Sequence, residues 1–79
     1  MVTIRYFAAA AEAAGTASES VQASTAGELR AEIAVRHGAA LERVLARCAV
    51  LSDGVRLDSD DDPLRPDAVV DVLPPFAGG

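Results

Sequence analysis

The sequence has no lysine, no tryptophan, one cysteine and one histidine, and each shortage excludes something. All seven basic side chains are arginine, so no side-chain amine is available for an isopeptide bond on the chain itself. Cys48 has no partner for an intramolecular disulfide or a cysteine zinc cluster, which is typical of a reducing compartment. No apolar run approaches the ~18 residues of a membrane span, so we expect a soluble, cytoplasmic protein with no membrane partner.

Aromatic residues and positive charge are also scarce. Tyr6, Phe7 and Phe76 are the only aromatic residues, so most of the core volume must come from valine, leucine and isoleucine. The net charge of -5 argues against a nucleic-acid partner, because such binding depends on lysine and arginine neutralising phosphates. A length of 79 residues suffices for one domain with a single modest core.

The first strand is predicted over residues 2–7, where β-branched and aromatic residues alternate. The alternation places Val2, Ile4 and Tyr6 toward the core and leaves Phe7 on the wetter side of the sheet. In the alternative interpretation, Phe7 belongs to the core and Tyr6 is turned outward.

The main helix has the clearest boundaries in the sequence. Thr25 and Glu28 match a capping box, in which the two side chains satisfy free backbone donors at a helix start. Gly38 ends this helix. Apolar residues at helical spacing then predict a shorter second helix over about residues 40–47.

Weaker patterns predict the connecting elements. Residues 8–14 are rich in alanine and compatible with a short helical turn, and residues 17–23 give a weak strand. Residues 49–52 and 55–58 form two strands joined by the tight-turn pair Asp53-Gly54.

The last strand is predicted over residues 68–73. Because Asp71 should point outward, Val70 and Val72 face the core, while Val69 and Leu73 lie beside Asp71 on the outer face.

This order of elements predicts an α+β fold, the ubiquitin-like β-grasp, with the main helix and the short second helix on a mixed five-stranded sheet. The first and last strands are adjacent and parallel, which brings Arg5 and Asp71 to the same outer face as a pair. Residues 1–73 form the domain, and residues 74–79 form a flexible tail.

The tail Pro74-Pro75-Phe76-Ala77-Gly78-Gly79 cannot continue the sheet, because proline lacks the backbone donor. Phe76 has no strand to belong to and is predicted to lie at an interface, where aromatic residues are enriched. Gly78 and Gly79 let the backbone enter a narrow slot and present the terminal carboxylate unshielded. We expect that carboxylate to be the reactive group.

The acidic loop has a partial metal-binding pattern. Asp58, Asp60 and Asp62 have the first three spacings of a calcium loop. Pro63 stands where a flexible glycine is needed, and Val69 stands where a bidentate glutamate belongs. We therefore interpret this segment as a solvated loop with no metal site.

The single histidine and the single cysteine have no partners that would make a catalytic site. His37 falls in the last turn of the main helix, where the helix dipole favours positive charge. Cys48 stands at a helical core spacing and is interpreted as a small buried hydrophobe.

The two ends of the chain resemble a known family. The opening residues Arg5-Tyr6-Phe7-Ala8, with Glu12 and Gly15, then Pro63-Leu64 and the closing Pro74 to Gly79 segment, resemble the MoaD/ThiS sulfur-carrier family. Within that family they are most like the small, non-catalytic subunit of molybdopterin synthase.

The resemblance implies a sulfur-carrier cycle. An E1-like adenylyltransferase (MoeB-like) uses ATP to activate the Gly79 carboxylate, and a sulfurtransferase supplies the sulfur for a thiocarboxylate. The carrier then inserts its tail into the large synthase subunit (MoaE-like), where sulfur passes to a pterin precursor in molybdopterin synthesis. The chain itself binds no cofactor. The resemblance, together with the strand pattern, assigns partner contacts to Phe7, Val69, Leu73, Pro75, Phe76, Ala77 and Gly78.

Other functions remain open from the sequence. The same tail chemistry serves carriers for thiazole or cysteine synthesis. A ubiquitin-like modifier joined to lysines of other proteins and a plain interaction module are the further alternatives.

Overall fold

The computed structural model describes residues 1–75, which form a five-stranded sheet and three helices. In chain order these are β1 (Val2–Tyr6), α1 (Ala9–Ala14), β2 (Ser18–Val21), α2 (Ala26–His37), α3 (Ala39–Leu45), β3 (Ala49–Ser52), β4 (Val55–Arg56) and β5 (Val69–Leu73). The strand order is β2-β1-β5-β3-β4. β1 and β5 are parallel, whereas the other neighbouring strands are antiparallel. The predicted ubiquitin-like β-grasp is confirmed.

The core lies between one face of the sheet, the inner face, and the helices. Its largest members are Val2, Ile4, Tyr6, Val21, Val50, Val70 and Val72 from the strands, Leu29, Ile33, Leu41 and Leu45 from the helices, and Leu64 from the segment before β5. Tyr6 is 3% exposed and Phe7 is 41% exposed, which confirms the interpretation with Tyr6 inside. None of the helices in the described part of the chain has the length and hydropathy of a membrane span.

The α2 N-terminus is capped by the predicted residues. The Thr25 hydroxyl accepts a hydrogen bond from the Glu28 backbone N–H at 3.2 Å. The Glu28 carboxylate accepts from the backbone N–H of Ser24 at 2.7 Å, one residue before the helix cap. The capping box therefore holds the residue that precedes the helix cap as well as the first turn of the helix.

The acidic loop supplies the other caps of α2. The backbone N–H groups of Ala26 and Gly27 donate to the carbonyl oxygens of Asp62 and Asp60, each at 2.9 Å. The first N–H groups of a helix have no acceptor within the helix, and the loop carbonyls satisfy two of them here. A Cβ atom on Gly27 would lie 3.0 Å from the Asp60 Cβ and 3.1 Å from its carbonyl oxygen. Glycine at this position therefore allows the loop to approach.

α3 and β4 each end two residues before the predicted position, for reasons visible in the backbone. α3 ends at Leu45 because Arg47 and Cys48 donate to carbonyls three residues back, which tightens the last turn. β4 covers only Val55–Arg56, although Leu57 still donates to the Val50 carbonyl at 2.8 Å. Beyond it, the backbone of residues 58–59 donates to the Asp62 carboxylate, and this turn takes the chain out of the sheet.

The other elements follow the expected pattern with small changes at their ends. Residues 8–14 contain the helix α1, and the strand expected over 17–23 is the shorter β2. The Asp53-Gly54 turn has positive φ at both residues, 49° and 84°, as a tight hairpin requires.

Side chains cover the free edge of β2. The backbone of Tyr6 donates to Ala17, so the carbonyls of Ser18 and Ser20 point away from β1. The Thr16 hydroxyl donates to the Ser18 carbonyl and the Arg36 guanidinium donates to the Ser20 carbonyl, both at 2.9 Å.

A cluster around Glu19 joins β1, β2 and the end of α2. The Glu19 carboxylate contacts the Tyr6 hydroxyl and His37 Nε2, both at 2.5 Å, and Arg36 Nη1 at 3.1 Å. Burial alone would raise the pKa of Glu19, but hydrogen bonds from these three side chains outweigh it and hold the pKa below its ordinary value. Burial, with the bond to Glu19, raises the pKa of Tyr6.

We predict that Gly27→Ala destabilises the protein by about 1–3 kcal/mol, because the added methyl group forces the acidic loop away from α2. Alanine would otherwise favour a helix by about 1 kcal/mol. Urea unfolding of Gly27→Ala, Asp60→Gly and the double variant measures the coupling. The Gly27→Ala penalty should shrink when the Asp60 side chain is absent. Equal penalties in both backgrounds would contradict the proposed contact.

The Glu19 cluster also predicts a pH dependence. Because the folded pKa of Glu19 is lowered, its contribution is present above the ordinary value of 4.5 and is lost as pH falls through the folded pKa. Tyr6 has a raised pKa, so its contribution is lost above about pH 10. Glu19→Gln should reduce the neutral-pH free energy of unfolding by about 1–3 kcal/mol and flatten the acid limb. Unfolding measured across pH tests this, with Glu42→Gln at an exposed position of α3 as control.

Candidate functional site

The ends of β1 and β5 lie side by side where the chain leaves the sheet. Tyr6 is in register with Val72, and the Phe7 backbone N–H donates to the Val72 carbonyl at 3.3 Å. One residue further in the same register, Phe7 lies next to Leu73. Pro74 then begins the segment that leads to the predicted tail.

The turn after β1 has an unusual backbone conformation. Ala8 has φ 50° and ψ -124°, in a region that residues with a Cβ rarely occupy. The Ala10 N–H donates to the Phe7 carbonyl at 3.0 Å and closes the four-residue turn. This turn takes the chain from β1 into α1 on the inner face and leaves Phe7 exposed. The sequence carries no glycine or asparagine at position 8 to indicate it.

Five apolar residues of β3, β5 and the end of β1 share the outer face of the sheet, opposite the helices. This outer patch consists of Phe7, Ala49, Leu51, Val69 and Leu73. Phe7 is 41% and Leu73 is 37% exposed, and the other three are partly buried. The predicted orientations of Val69 and Leu73 are therefore confirmed.

Sequence reasoning did not assign Ala49 and Leu51 to this surface. Both lie in register with β5, opposite Leu73 and Asp71 respectively. The signal was present in the alternation of residues 49–52, in which the buried Val50 separates them.

The predicted Arg5–Asp71 pair is confirmed and lies among the residues of the outer patch. Arg5 Nε donates to Asp71 Oδ1 at 2.6 Å, and Arg5 Nη2 donates to Asp71 Oδ2 at 2.9 Å. The two side chains thus form a bidentate ion pair with two parallel hydrogen bonds, which is a strong geometry for an arginine and a carboxylate. The hydrogen bond to Asp71 and its charge raise the pKa of Arg5. The Arg5 side chain is 53% exposed and the Asp71 side chain 22%.

The tail residues are only partly covered by the structure. Pro75 is exposed and follows the partly buried Pro74. The predicted partner contacts Phe76, Ala77 and Gly78, and the predicted reacting residue Gly79, lie outside the described residues.

The single histidine and the single cysteine both make contacts within the fold. His37 contacts Glu19, and its ring meets the Tyr6 ring edge-on at 6.1 Å. The partly buried Cys48 thiol donates to the Val44 carbonyl at 3.1 Å, and burial raises its pKa, which disfavours the reactive thiolate. Within residues 1–75, no three histidine, cysteine or acidic side chains are placed to share a metal ion.

These features define the class of the protein. It is a ubiquitin-like β-grasp domain with an open, apolar outer sheet face at the end of its last strand. The model of the ThiS family matches residues 4–79, so the chain belongs to that family, a group of ubiquitin-like sulfur carriers. No curated protein matches the sequence.

Several solved structures are similar to this chain. SAMP1 from Haloferax volcanii superposes with a TM-score of 0.84 at 25% identity, over 99% of this chain and 98% of that one. One chain from the protein-protein complex of subunits 1 and 2 of molybdopterin-converting factor from Helicobacter pylori matches at 28% identity, with a TM-score of 0.75 over 99% of this chain and 97% of that one. A putative molybdopterin converting factor subunit 1 from Pyrococcus furiosus matches at 25% identity, with a TM-score of 0.77 over 95% and 97%.

The adjacent aromatic residues Tyr6 and Phe7 provide a matched test of the two sheet faces. Tyr6→Ala should cost about 3–5 kcal/mol of unfolding free energy, because it empties a core position and removes a donor to Glu19. Phe7→Ala should cost less than about 1 kcal/mol, since that ring is already partly in water. Urea unfolding measures both. Similar losses for the two variants would contradict the assignment of Phe7 to the outer patch.

Proposed function

We propose that this protein is the sulfur carrier of molybdopterin synthesis, acting as the small, non-catalytic subunit of molybdopterin synthase in the cytoplasm. The observation that carries the proposal is the outer patch, which lies beside the end of β5 in a chain of the ThiS family. A large-subunit partner is supported by the Helicobacter pylori structure, in which the chain similar to this one, at 28% identity, is part of a complex of converting-factor subunits 1 and 2.

The proposed reaction begins at the Gly79 carboxylate. A carboxylate is a poor acyl donor, because its leaving group would be oxide, so it must first be joined to a better leaving group. An E1-like partner forms the acyl adenylate from ATP and releases pyrophosphate. The terminal sulfur of a sulfurtransferase persulfide then displaces AMP, and a partner thiol reduces the resulting acyl disulfide, which releases the C-terminal thiocarboxylate and leaves a disulfide on the donor. This group is a good sulfur donor at neutral pH, by the logic that makes thiolates reactive.

The body and the tail have separate roles in this proposal. The outer patch docks on the partner through Phe7, Val69 and Leu73, while Pro75 to Gly79 enter its active site. Six residues after β5 span at most about 20 Å when extended, which is enough to reach a buried site while the domain stays outside. The chemistry of the pterin precursor then takes place on the large subunit.

A second candidate is a protein modifier, favoured by the similarity to SAMP1 from Haloferax volcanii. In that case Gly79 would form an isopeptide with lysines of other proteins. The chain itself has no lysine, so conjugates through side-chain amines would contain one copy per acceptor site. Carriers for thiazole or cysteine synthesis use the same carboxylate chemistry and remain alternatives.

Intact-mass spectrometry of the protein purified from its own cells tests the proposal. We expect a fraction in which one sulfur replaces one oxygen at the C-terminus, and we expect it to disappear in the Gly79 deletion. Higher-mass conjugates that require Gly79 would instead support the modifier. If the sulfur form is absent and deletion of Gly78-Gly79 leaves molybdoenzyme activity intact, the carrier proposal is wrong. Co-purification with a thiazole synthase would select the thiazole pathway.

A further inference from the structure

The guanidinium of Arg5 has unused donors within the outer patch. Its Nε and Nη2 donate to the two oxygens of Asp71, at 2.6 Å and 2.9 Å. A guanidinium carries five N–H bonds, so three remain. Among residues 1–75, no acceptor other than Asp71 takes a hydrogen bond from this side chain.

Asp71 fixes the direction in which those donors point. The pair is bidentate, and both residues stand on adjacent parallel strands in direct register. The planar fork therefore holds the guanidinium in one orientation, and little further side-chain entropy is lost when a partner binds. Arg5 is the more exposed member, at 53% against 22% for Asp71, so its free edge faces outward.

The pairing of β1 with β5 does not depend on the Arg5–Asp71 ion pair. β1 and β5 are already joined by their backbone ladder and by the fully buried neighbours Ile4 and Val70. The outer patch, in contrast, surrounds a polar group that must be covered whenever a partner covers the apolar residues. Burying a donor without an acceptor is costly, so such a partner has to supply one.

We propose that Arg5 is a specificity-determining contact of the outer patch, and that Asp71 is its positioning residue. This inference rests on the proposed function. The fitting partner is the protein that receives the tail, and its contact surface is apolar around a neutral carbonyl oxygen that accepts from Arg5. A neutral acceptor fits because Arg5 and Asp71 already balance each other, and a partner carboxylate would bury an uncompensated charge.

The experiment measures the affinity of full-length variants for the large synthase subunit by titration calorimetry. Arg5→Lys keeps the charge but lacks the planar fork, and Arg5→Leu with Asp71→Leu makes the whole face apolar. We expect both to bind at least about tenfold more weakly than the unaltered protein. Arg43→Lys, at an exposed position on α3, is the matched control and should bind unchanged. Urea unfolding of Arg5→Lys should stay close to that of the unaltered protein.

Three results would overturn the inference. Equal affinity of Arg5→Lys and the unaltered protein would make the pair purely structural and leave the proposed function intact. A difference in affinity that vanishes at high ionic strength would indicate a partner carboxylate instead of a neutral carbonyl. Failure of the unaltered protein to bind the large subunit would remove the proposed function and this inference together.

Discussion

The parallel pairing of β1 with β5 is the constraint on which the rest of the structure depends. Parallel neighbours cannot be joined by a tight turn, so everything between residues 6 and 69 serves as their connection. The pairing puts Ile4 beside Val70 in the core, which fixes the register of the central strands. The same register places Phe7 at the base of the tail. The stability of the domain and the proposed docking surface therefore share one structural origin.

The two faces of the sheet differ in how completely their polar groups are hydrogen-bonded within the protein. On the inner side, Glu19 on β2 accepts from three side chains, one from β1 and two from α2, and no buried side-chain polar atom in residues 1–75 lacks a partner. In the acidic loop, the carbonyl oxygens of Asp60 and Asp62 accept hydrogen bonds from the first turn of α2. The outer face combines exposed apolar area with the donors of Arg5. This contrast favours the proposal that a partner binds the outer face, while the charges around Glu19 support the fold.

Much of the fold could be predicted because its signals are local. The alternation of residues 2–7 predicts which face of the sheet Tyr6 and Phe7 lie on, and the capping residues around Thr25 predict where the main helix begins. Features without a local sequence signal could not be predicted in this way. Ala8 adopts a strained turn without the usual residue, and the approach of Asp60 to α2 joins segments more than 30 positions apart. The reactive role of Gly79 rests on the chemistry of a terminal carboxylate and on the family resemblance, and it stays a prediction.

The covered edge of β2 has a consequence for how this protein can assemble. Thr16 and Arg36 occupy the carbonyls that an incoming strand would use. At the opposite side of the sheet, β4 offers only two residues. Edge-to-edge pairing of one copy with the next is thereby disfavoured. In the proposed function, where the carrier meets several enzymes in turn, the covered edge helps each copy to remain a separate molecule.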